Sequence, residues 1–263
     1  MQQSSTTPET EDILYKLHGS KYFSKIDLKD AYLQIPLDEA SSALTTTNTP
    51  FGLFRYKFLP FGLKVSPAIF QKVINQMIDG LDGVEAYQDD IIVHGPNIEL
   101  HNERLLKLFR LFCEKNILVN PSKCHFTLSS VSCLGYTVDP EGFRPDASRL
   151  APLMQAPSPS NMSSLRSWFG VVQFSSRFIP NFTQLLSPLF GIISSQQFKW
   201  EQQHEDILRR TLKFLNTQAF LRPFSSKYKP VLTTDVSPVR IAAVLEQNGQ
   251  PVICISRGLS KSE

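Results

Sequence analysis

Hydrophobic and polar positions fall into clear blocks along the chain. Residues 21–28, "KYFSKIDL", alternate as a strand does, and Asp27 closes the run. Residues 36–62 mix turn formers with β-formers and predict short strands and loops ending at Pro60-Phe61-Gly62. Ser66-Pro67 then reads as a helix start, with Ser66 as N-cap. Ile69, Phe70, Val73, Ile74, Met77 and Ile78 follow at helical spacing, and Asp79-Gly80 stops them.

Residues 84–93 read as a hairpin with Gln88-Asp89-Asp90 near its turn. Residues 99–116 form a second amphipathic helix, with Leu105, Leu108, Phe109 and Phe112 on its apolar face. Residues 132–146 predict another hairpin, tipped by Pro140-Glu141-Gly142. Pro/Ser-rich residues 151–164 read as a linker, and residues 165–219 as mainly helical. Residues 231–258 have β character, with a turn at Asn248-Gly249. The order of strand, helix, hairpin, helix, hairpin predicts an α+β core on an antiparallel sheet.

Composition adds limits. The chain has 263 residues, 41% hydrophobic and 19% charged, enough for a sizeable core. No apolar run is long enough to span a bilayer. Residues 1–12 are polar and acidic, unlike a secretory signal, and are expected to be a disordered leader. Four cysteines without CxxC spacing fit an intracellular protein with free thiols, in cytoplasm or nucleus. Residues 1–150 carry 15 Lys and Arg against 18 Asp and Glu, whereas residues 151–263 carry 12 against 6. A basic second half suits a phosphate backbone, though an ordinary basic surface gives the same count.

Asp89 and Asp90 sit between Ala86-Tyr87 and Ile91-Ile92-Val93, where unpaired carboxylates are costly. Neighbouring strands of one sheet would bring them to Asp27. Three clustered carboxylates repel one another unless a cation lies among them. Magnesium, a hard ion that takes oxygen ligands, suits that place, with manganese as substitute. Two such ions would clamp the attacking and leaving oxygens of a phosphoryl transfer.

The ordered motifs "FSKIDLKDAYLQIPLD", "FLPFGLKVSPAIFQ", "YQDDIIVHG", "LVNPSKCHF" and "LGYTVDPEGFRPD" closely resemble the reverse transcriptase of retroviruses and gypsy-type long-terminal-repeat retrotransposons. The likeness continues through "SLRSWFGVVQFSSRFIPNF" and "LTTDVSPVRIAAVLEQNGQPVICISRG", and covers roughly residues 13–263. It implies a polymerase palm at 13–146, with a ferredoxin-like antiparallel sheet and helices. A helical thumb/connection would follow at 147–223, then the N-terminal part of a ribonuclease H-like α/β domain at 224–263. It also implies that most of the fingers region is missing and the ribonuclease H-like segment truncated.

The resemblance assigns roles residue by residue. Asp27, Asp89 and Asp90 would be the catalytic, metal-binding carboxylates, holding two magnesium ions. Leu28, Asp30, Ala31, Tyr32, Phe61, Gly62 and Lys123 would line the nucleotide site, with the Tyr32 ring excluding a 2′-hydroxyl. Phe61 is the retrotransposon variant of a position where many retroviral enzymes have Gln. Tyr87, Leu134, Gly135 and Tyr136 would contact the primer. Gln88 departs from the usual apolar residue before the acidic pair. Asp235 matches the first metal-binding aspartate of ribonuclease H, without its later partners, so ribonuclease H activity is not expected. The implied activity is RNA-directed DNA polymerisation, using an RNA or DNA template with primer and deoxynucleoside triphosphates, and no membrane. The alternative is a catalytically inactive nucleic-acid-binding remnant.

Overall fold

A computed structural model describes residues 10–237 and 240–259. The expected leader overlaps these only at residues 10–12, and residues 1–9 lie outside the described residues. Residues 10–12 open helix α1 (Thr10–Lys16) rather than a disordered tail. Acidic Glu11 and Asp12 sit in its first turn, where negative charge favours a helix, and Ile13 and Leu14 are buried.

The chain divides into two compact units, residues 1–131 and 132–263. The first holds β1 (Tyr22–Asp27), α2 (Glu39–Leu44), β2 (Thr47–Thr49), β3 (Gly52–Phe54), α3 (Ser66–Ile78), β4 (Val84–Tyr87), β5 (Asp90–Gly95), α4 (Ile98–Lys115) and β6 (His125–Leu128). Its main sheet has the order β4-β5-β1-β6, and the pairings β4–β5, β5–β1 and β1–β6 are antiparallel. One face carries Ile26, Val84, Ala86, Ile91 and Val93. These are buried with Phe70 and Ile74 of α3 and Leu108 and Phe112 of α4.

Three local expectations change. Ser66 is not the helix cap. It lies inside α3, fully buried, and its hydroxyl donates to the Pro60 carbonyl at 2.7 Å. The stretch 36–62 also contains helix α2, because the Asp38 carboxylate caps it by accepting from Ser41 N–H. The linker is shorter than 151–164. Helix α5 (Ala147–Gln155) runs through Pro152, capped by Asp146, and α6 (Met162–Phe174) begins at Met162.

A sheet of order β7-β8-β9, formed by Val131–Cys133, Tyr136–Asp139 and Gly142–Pro145, starts at the unit boundary, and all but Val131 of its strand residues belong to the second unit. After α5 and α6 come α7 (Phe182–Leu185), α8 (Ser187–Ser195) and α9 (Gln202–Thr217). A three-stranded antiparallel sheet follows: β10 (Pro230–Ser237), β11 (Arg240–Gln247) and β12 (Gln250–Gly258). The β8–β9 hairpin, read from sequence as the end of the palm, is tied into this unit. Phe143 and Leu221 exchange backbone hydrogen bonds of 3.0 and 2.9 Å. Residues on either side of position 223 are joined as well: Arg222 N–H donates to Pro251 O, and Gln247 Nε2 donates to the Ser225 and Tyr228 carbonyls. Among the described residues, no helix is long and apolar enough to cross a membrane.

Candidate active site

The face of the main sheet turned away from α3 and α4 carries the chemistry. Side chains alternate across a sheet, so Lys25 and Asp27 share this face with Asp90, Ile92 and His94. Asp27 and Asp90 are direct cross-strand partners, and Tyr87 is the partner of Asp90 on the other side. Like charges opposite one another destabilise a strand pair, so cations are expected nearby. Two are present. Lys25 Nζ lies 2.7 Å from Asp90 Oδ2, and Lys123 Nζ lies 4.0 Å from Asp27 Oδ1.

Backbone contacts hold Asp27 in place. Its carbonyl accepts from Asn120 N–H at 2.9 Å, and Lys29 N–H donates to Leu118 O at 3.0 Å. These bonds fasten the end of β1 to the segment that carries Lys123, which closes a 3-10 turn at Pro121–Lys123. Asp89 is exposed in the two-residue turn between β4 and β5.

That turn begins at Gln88 with φ 54°, a conformation for which glycine is the ordinary choice. A residue that the sequence reading passed over stabilises it. Gln71 of α3 is 2% exposed, and both ends of its amide face the hairpin. Its Nε2 donates to Ala86 O at 2.9 Å, and its Oε1 accepts from Gln88 N–H at 2.7 Å. Its polarity in the stretch "SPAIFQKV", next to apolar Phe70, gives no sign of burial on its own.

Tyr32 stands beside the turn. It belongs to the 3-10 turn Ala31–Gln34, which follows Asp30 in the left-handed region at φ 48°. Its ring stacks on Phe61 at 4.8 Å and tilts against Phe70 at 5.0 Å. Burial raises the Tyr32 pKa, and the negative charge of Asp89 raises it further. Leu28 and Ala31 are buried in the core beneath. Gly62 has φ 86°, and a Cβ there would meet nothing within 4 Å, so its glycine serves backbone conformation. Phe61 is 59% exposed, which leaves one ring of the Tyr32 stack open to solvent.

The remaining expected residues lie in the second unit. Leu134 and Gly135 both have positive φ, and Gly135 O accepts from Asp146 N–H. Tyr136 is 3% exposed. Its ring meets Phe143, Phe174 and Phe178, which makes it a core aromatic of its own unit. Asp235 is exposed on β10, where it lines a small cleft with Gln184, Ser237, Arg240, Ala242 and Ser256.

Among the described residues, no three His, Cys, Asp or Glu side chains gather closely enough to hold a metal ion. The donor chemistry is of the kind that a hard divalent ion takes, since such an ion is often bound by only one or two carboxylates. Asp27, Asp89 and Asp90 supply hard carboxylate oxygens from one strand end and its neighbouring turn, and two of them already attract ammonium groups.

Comparison with known proteins gives this geometry a family. Residues 1–138 match the family model "Reverse transcriptase (RNA-dependent DNA polymerase)". The Drosophila melanogaster retrovirus-related Pol polyprotein from transposon 297 is 30% identical over 97% of this chain, and the match spans 25% of that protein. The Schizosaccharomyces pombe transposon Tf2-3 polyprotein is also 30% identical over 97%, across 20% of its length. A Caenorhabditis elegans protein, K02A2.6, is 41% identical over 67% of the chain and 14% of its own length. The chain therefore spans a quarter or less of these curated relatives. The fold is similar to the foamy viral protease-reverse transcriptase solved with double-stranded DNA. That similarity has a TM-score of 0.87 at 24% identity, covering 99% of this chain and 47% of that one. A foamy viral protease-reverse transcriptase solved with an RNA/DNA hybrid gives 0.86 at 24% identity, covering 99% of this chain and 36% of that one. With a matching family model over its first 138 residues, this chain belongs to the reverse transcriptase (RNA-dependent DNA polymerase) family.

Proposed function

We propose that this chain is the polymerase portion of a gypsy-type long-terminal-repeat retrotransposon polyprotein. It adds deoxynucleotides to a primer 3′-hydroxyl on an RNA or DNA template. The observation that carries this reading is the cross-strand pairing of Asp27 with Asp90, with Asp89 in the adjoining turn. The foamy viral relative's complexes with double-stranded DNA and RNA/DNA hybrid support a paired template and primer as partner.

Reverse transcriptases use divalent metal ions. Asp27, Asp89 and Asp90 would hold two magnesium ions. Bound there, the ions would acidify the primer hydroxyl and offset charge on the triphosphate. The chain's own residues supply positioning. The Tyr32 ring is braced by Phe61 and Phe70, and would form a floor under the sugar that excludes a 2′-hydroxyl. Leu28, Asp30 and Ala31 shape the turn around the triphosphate, with Gly62 as the close backbone approach. Lys123, near Asp27, adds positive charge for the phosphates. Tyr87 lies beside Asp90, where a primer terminus would rest. The backbone at Leu134-Gly135-Tyr136 would grip the primer strand.

A second reading is a nucleic-acid-binding protein without catalysis. The lysine contacts on Asp27 and Asp90 favour it, because both carboxylates already have counter-charges. Primer extension with Mg²⁺ on a homopolymer template separates the two. Extension that disappears in Asp89→Asn supports the polymerase. Salt-sensitive binding to a primer–template duplex without extension supports the binder.

A further inference from the structure

Lys25 has no place among the roles that the sequence motifs assign, yet its contact with the site's carboxylates is closer than that of Lys123. It stands two residues before Asp27 on β1, on the same sheet face. Its ammonium lies 2.7 Å from Asp90 Oδ2, against 4.0 Å for Lys123 and Asp27. The Lys25 side chain is 26% exposed and that of Asp90 37%. The pair is therefore partly shielded, and its charges interact more strongly than free surface ions do. The contact occupies an oxygen of a carboxylate that points to the same face as Asp27.

We propose that Lys25 is a positioning residue that competes with a divalent cation for Asp90. While its ammonium rests on Oδ2, one ligand oxygen is engaged and a positive charge stands close to where a second cation would lie. Lys25 thereby sets how tightly the acidic site holds its ion. The inference rests on the reading of Asp27, Asp89 and Asp90 as metal ligands.

The physical case is a balance of charges. A unit positive charge about 5 Å from a divalent ion in a largely aqueous setting disfavours that ion by roughly tenfold in affinity. Freeing one carboxylate oxygen adds to the gain. Removing Lys25 should therefore tighten metal binding, whereas removal of a lysine that merely holds Asp90 in shape would weaken it.

The test measures Mn²⁺ binding to the full chain by electron paramagnetic resonance, at low ionic strength and without nucleic acid or nucleotide. Lys25→Met should bind Mn²⁺ roughly tenfold more tightly than wild type. Lys25→Arg, which keeps the charge, should bind like wild type. The double variant Lys25→Met/Asp90→Asn should lose the gain. Lys25→Gln serves as a second neutral variant, and circular dichroism confirms that each protein is folded. Unchanged or weaker binding in both folded neutral variants, with measurable wild-type binding, overturns the role of Lys25 alone. Absence of Mn²⁺ binding in wild type and neutral variants alike overturns this proposal and the metal-ligand reading together.

Discussion

The Tyr32 hydroxyl donates to Gln88 Oε1 at 3.1 Å, joining the aromatic floor to the turn that carries Asp89 and Asp90. Gln88, the polar residue before the acidic pair, supplies the acceptor. Replacing it with Val or Met removes that acceptor and lets the Tyr32 ring move on its Phe61 and Phe70 supports. A partly exposed hydrogen bond of this kind contributes about 1 kcal/mol. Gln88→Met should therefore change stability little. In primer extension it should raise the apparent KM for deoxynucleotides several-fold, with a smaller change in kcat. Steady-state kinetics across nucleotide concentrations would show this. An unchanged KM would mean that the floor holds its place without Gln88.

Gln71 should matter more for stability. Leucine in its place is close in size, but it leaves Ala86 O and Gln88 N–H without the amide that now satisfies both. Each buried polar group left without a partner costs about 1–3 kcal/mol. Gln71→Leu is expected to lower unfolding stability by roughly 2–4 kcal/mol, read from the urea midpoint. Extension activity should fall as well, because the positive-φ turn at Gln88 loses its brace. Loss of under about 0.5 kcal/mol would show that the turn holds itself.

The contrast between Gln71 and its neighbours shows what was legible in the sequence. Phe70 and Ile74 declared themselves through helical spacing, and Leu108 and Phe112 did the same in the following helix. The acidic turn was visible because carboxylates between apolar strands need a reason. Gln71 was not visible: a polar residue in an amphipathic helix reads as solvent-facing, and its partners lie 15 and 17 residues away. Lys25 was hidden for the same reason, since its partner Asp90 is 65 residues distant. Helix α2 was missed because its capping Asp38 lies in a stretch dominated by turn and β-forming residues. The Phe143–Leu221 pairing was not legible either, because it spans residues that no periodicity connects.

Tyr136 offers a direct separation of packing from primer contact. Its ring stacks on Phe174 at 5.1 Å and meets Phe143 and Phe178 below 6 Å. Tyr136→Ala should destabilise the second unit by about 3–5 kcal/mol, the usual cost of deleting a large buried aromatic. Tyr136→Phe keeps the ring and should cost about 1 kcal/mol or less. Thermal unfolding of both variants tests this. If Tyr136→Ala melts like wild type but loses primer binding, the ring acts on the nucleic acid and not in the core.

His94 supplies a pH dependence with a definite sign. It is 6% exposed, and its Nδ1 lies 2.7 Å from Ser20 Oγ. Burial lowers its pKa from 6.5 to about 4, helped by the positive charges of Arg104, Lys16 and His101. The unfolded chain therefore binds a proton below about pH 6.5 that the folded protein refuses until about pH 4. Stability from this group is fully present above the unfolded pKa and is lost as pH falls from 6.5 towards 4. The total is roughly 3 kcal/mol. Glu85 works against it: burial raises its pKa, so its contribution to stability falls as pH rises through the carboxylate range. Comparing wild type with His94→Phe at each pH isolates the histidine. The stability difference between the two should shift in favour of wild type by roughly 3 kcal/mol between pH 4 and pH 7. A difference that stays flat across that range would mean that His94 takes up its proton as readily in the folded protein as in the unfolded chain.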